Sequence, residues 1–304
     1  LSEVHAEGYP TTLADQEFAR LIEERTEGRI KVEVYSGGQL YGEETGAIEA
    51  LQLGDIAFAR VSASPVASYV PALNAIQMPY LYKNADHMWA VLDGEIGQDM
   101  LAQIESSGSG LVGLCWYDAG ARSYYTTKQV SSVADMKGLK IRMQNNAMMV
   151  DMTNVLGGTG VTGIGPNEVY SAIKQGTIDG AENPLATLYG RKLHEVAKYL
   201  ILDGHVKNFT TLVCSADWFN SLTEEQQGWL LESCKEAGEY NNEVQQAQEQ
   251  EYLQMMIDEG VTVVEPSEEV LAGFREKAQA FYEMGDTFGW SDGLYEEVQA
   301  AMGK

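Results

Sequence analysis

The sequence predicts an α/β protein built from two lobes. Apolar residues recur at strand spacing and then at helical spacing along most of the chain, which is typical of a sheet with crossover helices. The chain has 304 residues, 44% of them hydrophobic, so it is long enough for two domains with sizeable cores. No Gly/Ser-rich or Pro-rich linker separates two halves, which favours lobes that the chain crosses between more than once.

The first part of the chain predicts helix, strand, helix and strand in that order. The segment "TTLADQEFARLIEERTEG" has apolar residues at helical spacing and stops at Gly28, a good C-terminal breaker. In "RIKVEVYSGGQL", Ile30, Val32 and Val34 alternate as one face of a strand. The segment "GEETGAIEALQLGD" predicts the second helix, and "IAFARVS" predicts a strand that ends in polar residues.

The same rhythm returns from about residue 111. Strands are predicted at "GLVGLCWYDAGARSYYT" and "LKIRM", and a helix at "NNAMMVDMTNVLGG". Further on, "LLESCKEAGEYNNEVQQAQEQEYLQMMIDEG" predicts one helix of about 30 residues, about 45 Å long and able to brace both lobes. Gly238 lowers the helix propensity of this segment without forbidding the helix.

The charge balance limits the classes of partner. Lys and Arg total 20 against 45 Asp and Glu, a net charge of −25. Nucleic acids and anionic membrane surfaces need a basic face, so neither is expected as a partner. No apolar run approaches the roughly 20 residues that span a bilayer. The chain starts at Leu1 rather than Met, so we expect a processed or trimmed form.

The cysteines carry no metal or redox signature. Cys115, Cys214 and Cys234 form an odd set without a C-x-x-C motif or a nearby histidine. Cys115 and Cys214 lie in apolar strand-like segments, where buried inert thiols are expected. The pairing of the three cysteines stays open.

Enzymatic motifs do not stand out. The chain has no G-x-S-x-G motif, no Walker loop and no H-E-x-x-H motif. Its four histidines lack metal-ligand spacing, and only His5 and His205 are easy candidates for a general base. We therefore expect neither an enzyme nor a metal or organic cofactor.

Polar groups follow several apolar strand-like stretches. Arg60, Arg122, Arg142 and Asn183 each occupy such a position. In α/β sheets, ligands gather at the carboxyl ends of strands, so these residues are candidates for a binding site. The alternative is that each arginine pairs with one of the 45 carboxylates and holds loops together.

The segment "MKGLKIRMQNNAMMVDM" places a cation and amides at one strand-to-helix corner. The planar fork of Arg142 suits a carboxylate, and the amides of Gln144 and Asn145 suit hydroxyl groups. Aromatic residues near the same strand ends either pack on a ring face of the ligand or fill the core; they are Trp116, Tyr117, Tyr124 and Tyr125. This composition predicts an anionic, hydroxylated small molecule as ligand.

Along nearly its whole length the chain resembles the extracytoplasmic solute-binding proteins of TRAP transporters (tripartite ATP-independent periplasmic transporters). The resemblance rests on the order and spacing of "EGRIKVEVYSGGQLYGEE", "IEALQLGDIAFARVS", "VPALNAIQMPYLYKNADHMWAVLDG", "MKGLKIRMQNN", "EVYSAIKQGTIDGAENP" and "HEVAKYLIL". It implies a periplasmic-binding-protein-like fold in which each lobe is a mixed sheet flanked by helices. It also implies that a long helix spans both lobes, which close over an organic anion. The expected lobes are 1–120 plus about 208–248, and 121–207 plus about 249–304, with the ligand cleft between them.

The resemblance also implies roles for particular residues. The family's hallmark arginine, which forms a salt bridge to the substrate carboxylate, corresponds to Arg142, and a second arginine corresponds to Arg122. The asparagine that follows the "DG-x-EN" strand corresponds to Asn183, and a further polar position corresponds to Asn145.

Within the family, "HAEGYPTT", "WYDAGARSYYT" and "KIRMQN" look most like the branch that binds sugar acids such as glucuronate and galacturonate. That likeness adds Glu7, Arg60 and Gln144 to the expected pocket, and Trp116 is expected there as one of the aromatic residues near the strand ends. The chain has "AENP" where such relatives often have "AENN", and "GIGP" at 163–166 where they have "PMPF", so one wall of the pocket is expected to differ.

Other ligands and one other class of function remain as alternatives. A second buried cation facing Arg142 would favour a dicarboxylate, and a keto acid or an aromatic acid is also possible. A hydroxy-acid lyase or isomerase would need His5 or His205 as base. The resemblance implies a receptor that serves a TRAP membrane permease in the periplasm or outside the cytoplasm, either secreted or lipid-anchored. We expect a monomer, although the sequence leaves the oligomeric state open.

Overall fold

The computed structural model describes residues 1–301, in which strands and helices alternate as predicted. The strands are β1 (Phe58–Ser62), β2 (Leu111–Thr126), β3 (Lys140–Arg142), β4 (Thr159–Val161), β5 (Gly180–Asn183), β6 (Tyr199–Ile201), β7 (Val206–Ser215) and β8 (Thr262–Val264). The helices are α1 (Pro10–Arg25), α2 (Glu44–Leu53), α3 (Ala63–Val66), α4 (Ala85–Leu92), α5 (Glu95–Ser106), α6 (Ala147–Val155), α7 (Val169–Lys174), α8 (Leu185–Gly190), α9 (Ala216–Asn220), α10 (Glu224–Asp258), α11 (Glu268–Tyr282), α12 (Gly285–Phe288) and α13 (Leu294–Ala300). Short 3₁₀ helices span Pro71–Gln77, Val133–Met136 and Leu193–Glu195.

The prediction of a strand at residues 30–34 is wrong, because the structure has no strand over these residues. The stretch pairs through one isolated bridge, between Tyr35 and Ser2. Within residues 1–301, the backbone of Glu33 and Tyr35 forms hydrogen bonds with the backbone of Leu1 and Glu3.

The chain divides into two compact units. Unit 1 comprises Leu1–Val70, Glu95–Ala119 and Phe209–Ala247, and unit 2 comprises Pro71–Gly94, Gly120–Asn208 and the chain from Gln248 onward. Strands β2 and β7 and helix α10 each contribute residues to both units. Helix α10 has 35 residues, about 52 Å at 1.5 Å per residue, which agrees with the single long helix predicted.

Residues 71–94 belong to unit 2, whereas the sequence placed them in the first lobe. The side-chain amide of Asn74 donates to the carbonyl oxygen of Phe288 at 2.9 Å, and His87 Nε2 contacts the carbonyl oxygen of Val298 at 2.8 Å. These contacts tie the segment to the C-terminal helices. They join residues more than 200 positions apart, so local sequence patterns carry no sign of them.

The core of unit 1 lies between α1, the strands β1, β2 and β7, and the first part of α10. Phe18, Phe58 and Leu230 are among its buried residues. Gly238 lets α10 pass close to β2, since a Cβ atom there would lie 3.0 Å from the carbonyl oxygen of Trp116. The helix-weakening glycine is therefore explained by a close approach of two backbones.

A disulfide joins Cys115 in β2 to Cys234 in α10. The expectation that Cys115 is an inert thiol is wrong, because the helix brings a second cysteine within bonding distance of the strand. Cys214 is a buried free thiol, as expected. Burial raises the pKa of the Cys214 thiol above its ordinary value, which disfavours a reactive thiolate.

Unit 2 is built on a mixed sheet. β5 pairs antiparallel with β2 and parallel with β3, and β3 pairs parallel with β4. On the other side, β6 pairs antiparallel with β2 and parallel with β8. This order places the ends of β3 and β5 next to each other, where the sequence predicts binding residues.

The disulfide gives a prediction on stability. It closes a loop between positions 119 residues apart, for which chain-entropy estimates give about 5 kcal/mol of stabilisation. We expect Cys115→Ser or Cys234→Ser to lower the melting temperature by ten degrees or so, measured by calorimetry without reductant. Alkylation of the denatured parent should label one cysteine before reduction and three after it; three labels before reduction would contradict the bond.

Candidate functional site

Arg142 ends β3 at the corner where the chain turns into α6. Ile141 is fully buried and pairs with both β4 and β5, which fixes the strand. Beyond the corner, the Asn146 side chain accepts backbone N–H groups from the first turn of α6 and caps the helix. Gln144 and Asn145 therefore lie between a paired strand and a capped helix, the arrangement that the sequence predicts.

The Arg142 guanidinium is buried and oriented by the backbone. Its Nε donates to the carbonyl oxygen of Ile164 at 2.9 Å. Ile164 belongs to the "GIGP" loop, in which Gly163 adopts a φ of 78°, a value that favours glycine. The contact restricts the planar fork, so less conformational entropy is lost when a carboxylate binds.

Three strands place Arg142 in line with two other side chains. Arg142 on β3 is registered with Ala181 on β5, which is registered in turn with Tyr125 on β2. Residues directly opposite each other project from the same face of a sheet. Arg142, Ala181 and Tyr125 therefore share a face, and the small side chain of Ala181 separates the guanidinium from the phenol ring.

Asn183 joins the same face of the sheet. It lies two residues beyond Ala181 on β5, so it projects from the same side. The hydroxyl of Tyr125 donates to Asn183 Oδ1 at 2.8 Å. The structure thus brings together the arginine and the asparagine that the sequence predicted.

Gln144 and Asn145 differ in exposure. Gln144 is buried, and its Oε1 has no hydrogen-bond partner among the residues that the structure describes. A buried acceptor without a partner is costly, which makes Gln144 Oε1 a candidate contact for a ligand hydroxyl. Asn145 is exposed at the tip of the corner.

Arg122 lies on the opposite face of the same sheet. Tyr124 is registered with Glu182, and Arg122, two residues before Tyr124, pairs with that carboxylate through Nε and Nη2. Arg122 also donates to the backbone oxygen of Glu182 at 2.7 Å. The charge of Arg122 is therefore balanced inside unit 2, on the other side of the sheet from Arg142.

His205 and Asp203 extend this network. His205 Nδ1 lies 2.8 Å from Asp203, and its Nε2 lies 3.5 Å from Glu182. Burial alone would lower the pKa of His205, but the two carboxylates outweigh it and raise that pKa to about 9. Burial would likewise raise the pKa of Glu182, yet Arg122 and His205 hold it at about 2. At neutral pH, His205 is therefore protonated and Glu182 is ionised.

Arg60 is neutralised inside unit 1. It is fully buried, binds Glu3 through two nitrogens and binds Glu44 through Nη1 at 2.9 Å. His5 Nδ1 lies 2.7 Å from the same guanidinium. Burial opposes ionisation of Glu3, but Arg60 keeps the pKa of that carboxyl below its ordinary value. These contacts are the carboxylate pairing that the sequence left open as the alternative for Arg60.

The two remaining sequence candidates lie in different surroundings within unit 1. Glu7 is exposed and accepts a hydrogen bond from Gln16 at 2.6 Å. Trp116 is buried, donates through Nε1 to the carbonyl oxygen of Gly97 and meets the ring of Phe209 edge-on. Core packing accounts for these contacts of Trp116, and its role against a ligand stays a prediction.

The sequence did not indicate which residues form hydrogen bonds or ion pairs with the candidate side chains. Glu182, Asp203 and the Ile164 carbonyl were not singled out. Glu182 had a usable signal, because it is a carboxylate directly before Asn183 in a short strand. A backbone carbonyl such as that of Ile164 has no signature in the side-chain pattern.

Residues 1–301 contain neither a candidate metal-binding cluster nor a candidate membrane-spanning helix. That part of the chain contains no group of three or more His, Cys, Asp or Glu side chains placed to hold a metal ion. None of its helices is both long and apolar enough to span a membrane.

Comparison with protein families gives a match over most of the chain. The model of the family described as bacterial extracellular solute-binding protein, family 7 (DctP) matches residues 1–286. A solute-binding protein of Chromohalobacter salexigens is 33% identical over 285 residues, which is 92% of this chain and 82% of that protein.

Solved structures give matches of the same extent. A TRAP periplasmic solute-binding protein from Pseudomonas putida F1 with bound D-glucuronate has a TM-score of 0.91 and 34% identity, and the match covers 100% of this chain and 97% of that one. A TRAP periplasmic solute-binding protein from a Bradyrhizobium species, in complex with α/β-D-galacturonate, has a TM-score of 0.92 and 31% identity, with 100% and 98% covered.

The His205 network predicts how stability depends on pH. The pKa of His205 rises from 6.5 for a free imidazole to about 9 in the fold. A raised folded-state pKa contributes stability that is complete below 6.5 and is lost as the pH rises towards 9, by about 3 kcal/mol. Thermal unfolding between pH 6 and 9.5 should show this loss in the parent and in His194→Asn, but not in His205→Asn. Equal slopes for all three proteins would contradict the assignment.

Proposed function

We propose that this chain, which belongs to family 7 of the bacterial extracellular solute-binding proteins, captures a uronate and delivers it to the permease of a TRAP transporter. The ligand we propose is D-glucuronate or D-galacturonate. The two solved structures described above hold these acids and match essentially the whole chain. Their identities of 34% and 31% support a related ligand without fixing the epimer.

The position of Arg142 carries this proposal. Its guanidinium is buried at a strand end, oriented by the Ile164 carbonyl and flanked on the same face by Asn183. A desolvated guanidinium and an amide offer several donors, which suits the two oxygens of a carboxylate. Charge-assisted hydrogen bonds of this kind contribute about 1.5–3 kcal/mol each.

We assign the hydroxyl groups of the sugar to the amides of the corner. Gln144 Oε1 is a buried acceptor with no partner within residues 1–301, so a ligand hydroxyl would satisfy it. Asn145 can donate and accept from its exposed position. Glu7 is our candidate acceptor for a further hydroxyl, and Trp116 is our candidate ring contact.

Arg122 and Arg60 are proposed as weaker contributors than Arg142. Each is already matched by buried carboxylates, Glu182 for the first and Glu3 with Glu44 for the second. A ligand carboxylate gains little from a cation whose charge is already balanced. This also weighs against a dicarboxylate as ligand, because Arg122 lies on the face of the sheet opposite Arg142.

Binding without turnover is part of the proposal. His205, one of two candidate bases, carries two carboxylate neighbours that raise its pKa to about 9, so it is protonated at neutral pH and unsuited to accept a proton. His5 contacts both Glu3 and Arg60. We propose a monomeric, secreted or lipid-anchored receptor outside the cytoplasm, where a disulfide such as Cys115–Cys234 is stable.

The proposal is tested by removing the Arg142 guanidinium. We expect Arg142→Ala to weaken the binding of D-glucuronate or D-galacturonate by about 100-fold or more, because two charge-assisted hydrogen bonds are lost. Arg142→Lys should fall between the parent and the alanine variant, since it keeps the charge without the planar fork. Calorimetric titration measures all three affinities.

The matched control is Arg20→Ala, which removes an exposed arginine paired with Glu17 and Glu24. Its affinity should equal that of the parent. Undiminished binding by Arg142→Ala would refute the carboxylate site, and tighter binding of D-glucose than of D-glucuronate by the parent would refute the ligand class.

A further inference from the structure

We propose that Tyr125 is a positioning residue whose hydroxyl sets the polarity of the Asn183 amide, so that Asn183 presents its NH₂ group to the ligand carboxylate. The inference rests on the proposed function, because it specifies how that site distinguishes a carboxylate from other oxygen groups. It involves β2, β3 and β5, all within unit 2.

The first step is the placement of the three side chains. Tyr125 and Arg142 are each registered with Ala181, and Asn183 follows Ala181 by two residues on β5. All three therefore project from one face of the sheet. The phenol of Tyr125 reaches Asn183 diagonally across the strands, with its oxygen 2.8 Å from Oδ1.

The second step concerns which end of the amide is occupied. A phenolic hydroxyl has one proton, and here it is donated to Asn183 Oδ1. Within residues 1–301 the Asn183 side chain makes no other hydrogen bond, and it is half-buried rather than fully enclosed. With its oxygen engaged, the amide is left with Nδ2, whose two N–H groups can only donate.

The hydroxyl is suited to act as a permanent donor. Burial raises the pKa of Tyr125 above its ordinary value, and the nearby Arg142 guanidinium opposes this only in part. The proton therefore stays on the oxygen throughout the physiological range. Asn183 is held in one of its two amide orientations at every pH at which the receptor works.

As a consequence, this edge of the proposed binding site presents hydrogen-bond donors and no acceptors. The Arg142 fork and Asn183 Nδ2 both offer N–H groups, and a carboxylate accepts from both. A hydroxyl or a neutral amide group would bring protons of its own and would fit this edge less well. Tyr125 thus helps to determine specificity without contacting the ligand.

The experiment is a double-mutant cycle on binding of D-glucuronate, with D-galacturonate in parallel. Tyr125→Phe keeps the ring in the core and removes only the hydroxyl, so the affinity should fall about tenfold. In the Asn183→Ala background the same change should alter the affinity by less than about twofold, because the hydroxyl acts through that amide. Asn183→Asp, which replaces the donor by an anion, should weaken binding by about 100-fold or more.

The matched control is Tyr170→Phe, which removes a hydroxyl that binds Glu195 at the surface of the same unit. It should leave the affinity unchanged. A tenfold loss for Tyr125→Phe in both backgrounds would overturn the inference, because the hydroxyl would then act independently of Asn183. An unchanged affinity for Tyr125→Phe in the parent background would overturn it as well.

A measurement without ligand separates this inference from the proposed function. The side-chain amide signals of Asn183 in a ¹H–¹⁵N spectrum, identified from Asn183→Ala, should shift in Tyr125→Phe and stay in place in Tyr170→Phe. Unmoved signals would refute the positioning role even if uronates bind. Shifted signals in a protein that binds neither uronate would leave the role of Tyr125 standing and refute the proposed ligand.

Discussion

The parallel pairing of β3 with β5 is the constraint on which the candidate site depends. It sets Arg142 beside Ala181, in line with Tyr125 and on the face that carries Asn183. A slip of one residue would bring Glu182 to that face instead, and its carboxylate would neutralise Arg142. Gly180 opposes such a slip, because a side chain at that position would collide with the carbonyl oxygen of Tyr125.

The sheet of unit 2 therefore separates two kinds of buried arginine. On one face, Arg122 forms part of a closed network in which carboxylates balance each cation. On the other face, Arg142 is oriented by the Ile164 carbonyl, which accepts a hydrogen bond from its Nε. Such preorganisation favours binding of the anion.

Sequence patterns predicted what is encoded locally. The α/β rhythm, the 35-residue α10 and the corner after Arg142 follow from periodicity, strand ends and capping residues. The sequence patterns did not predict which buried charged residues form ion pairs, because residues such as Arg122 and Glu182 lie 60 positions apart. The Cys115–Cys234 bond and the placement of residues 71–94 in unit 2 were missed for the same reason. In each case the deciding contact joins segments that a local pattern treats separately.

The segment that the sequence misplaced also supports the binding corner. Asn74 accepts a hydrogen bond from Nδ2 of Asn146 at 2.8 Å, which leaves Asn146 Oδ1 to accept the backbone N–H of Met148. Both amides are buried, so neither can exchange these partners for water. Tyr125 orients Asn183 in the same way. In both pairs, a neighbouring residue forms a hydrogen bond with one end of a side-chain amide and so determines whether the other end donates or accepts. At Asn146 the fixed amide caps α6, and the position of that helix holds Gln144 and Asn145 next to Arg142.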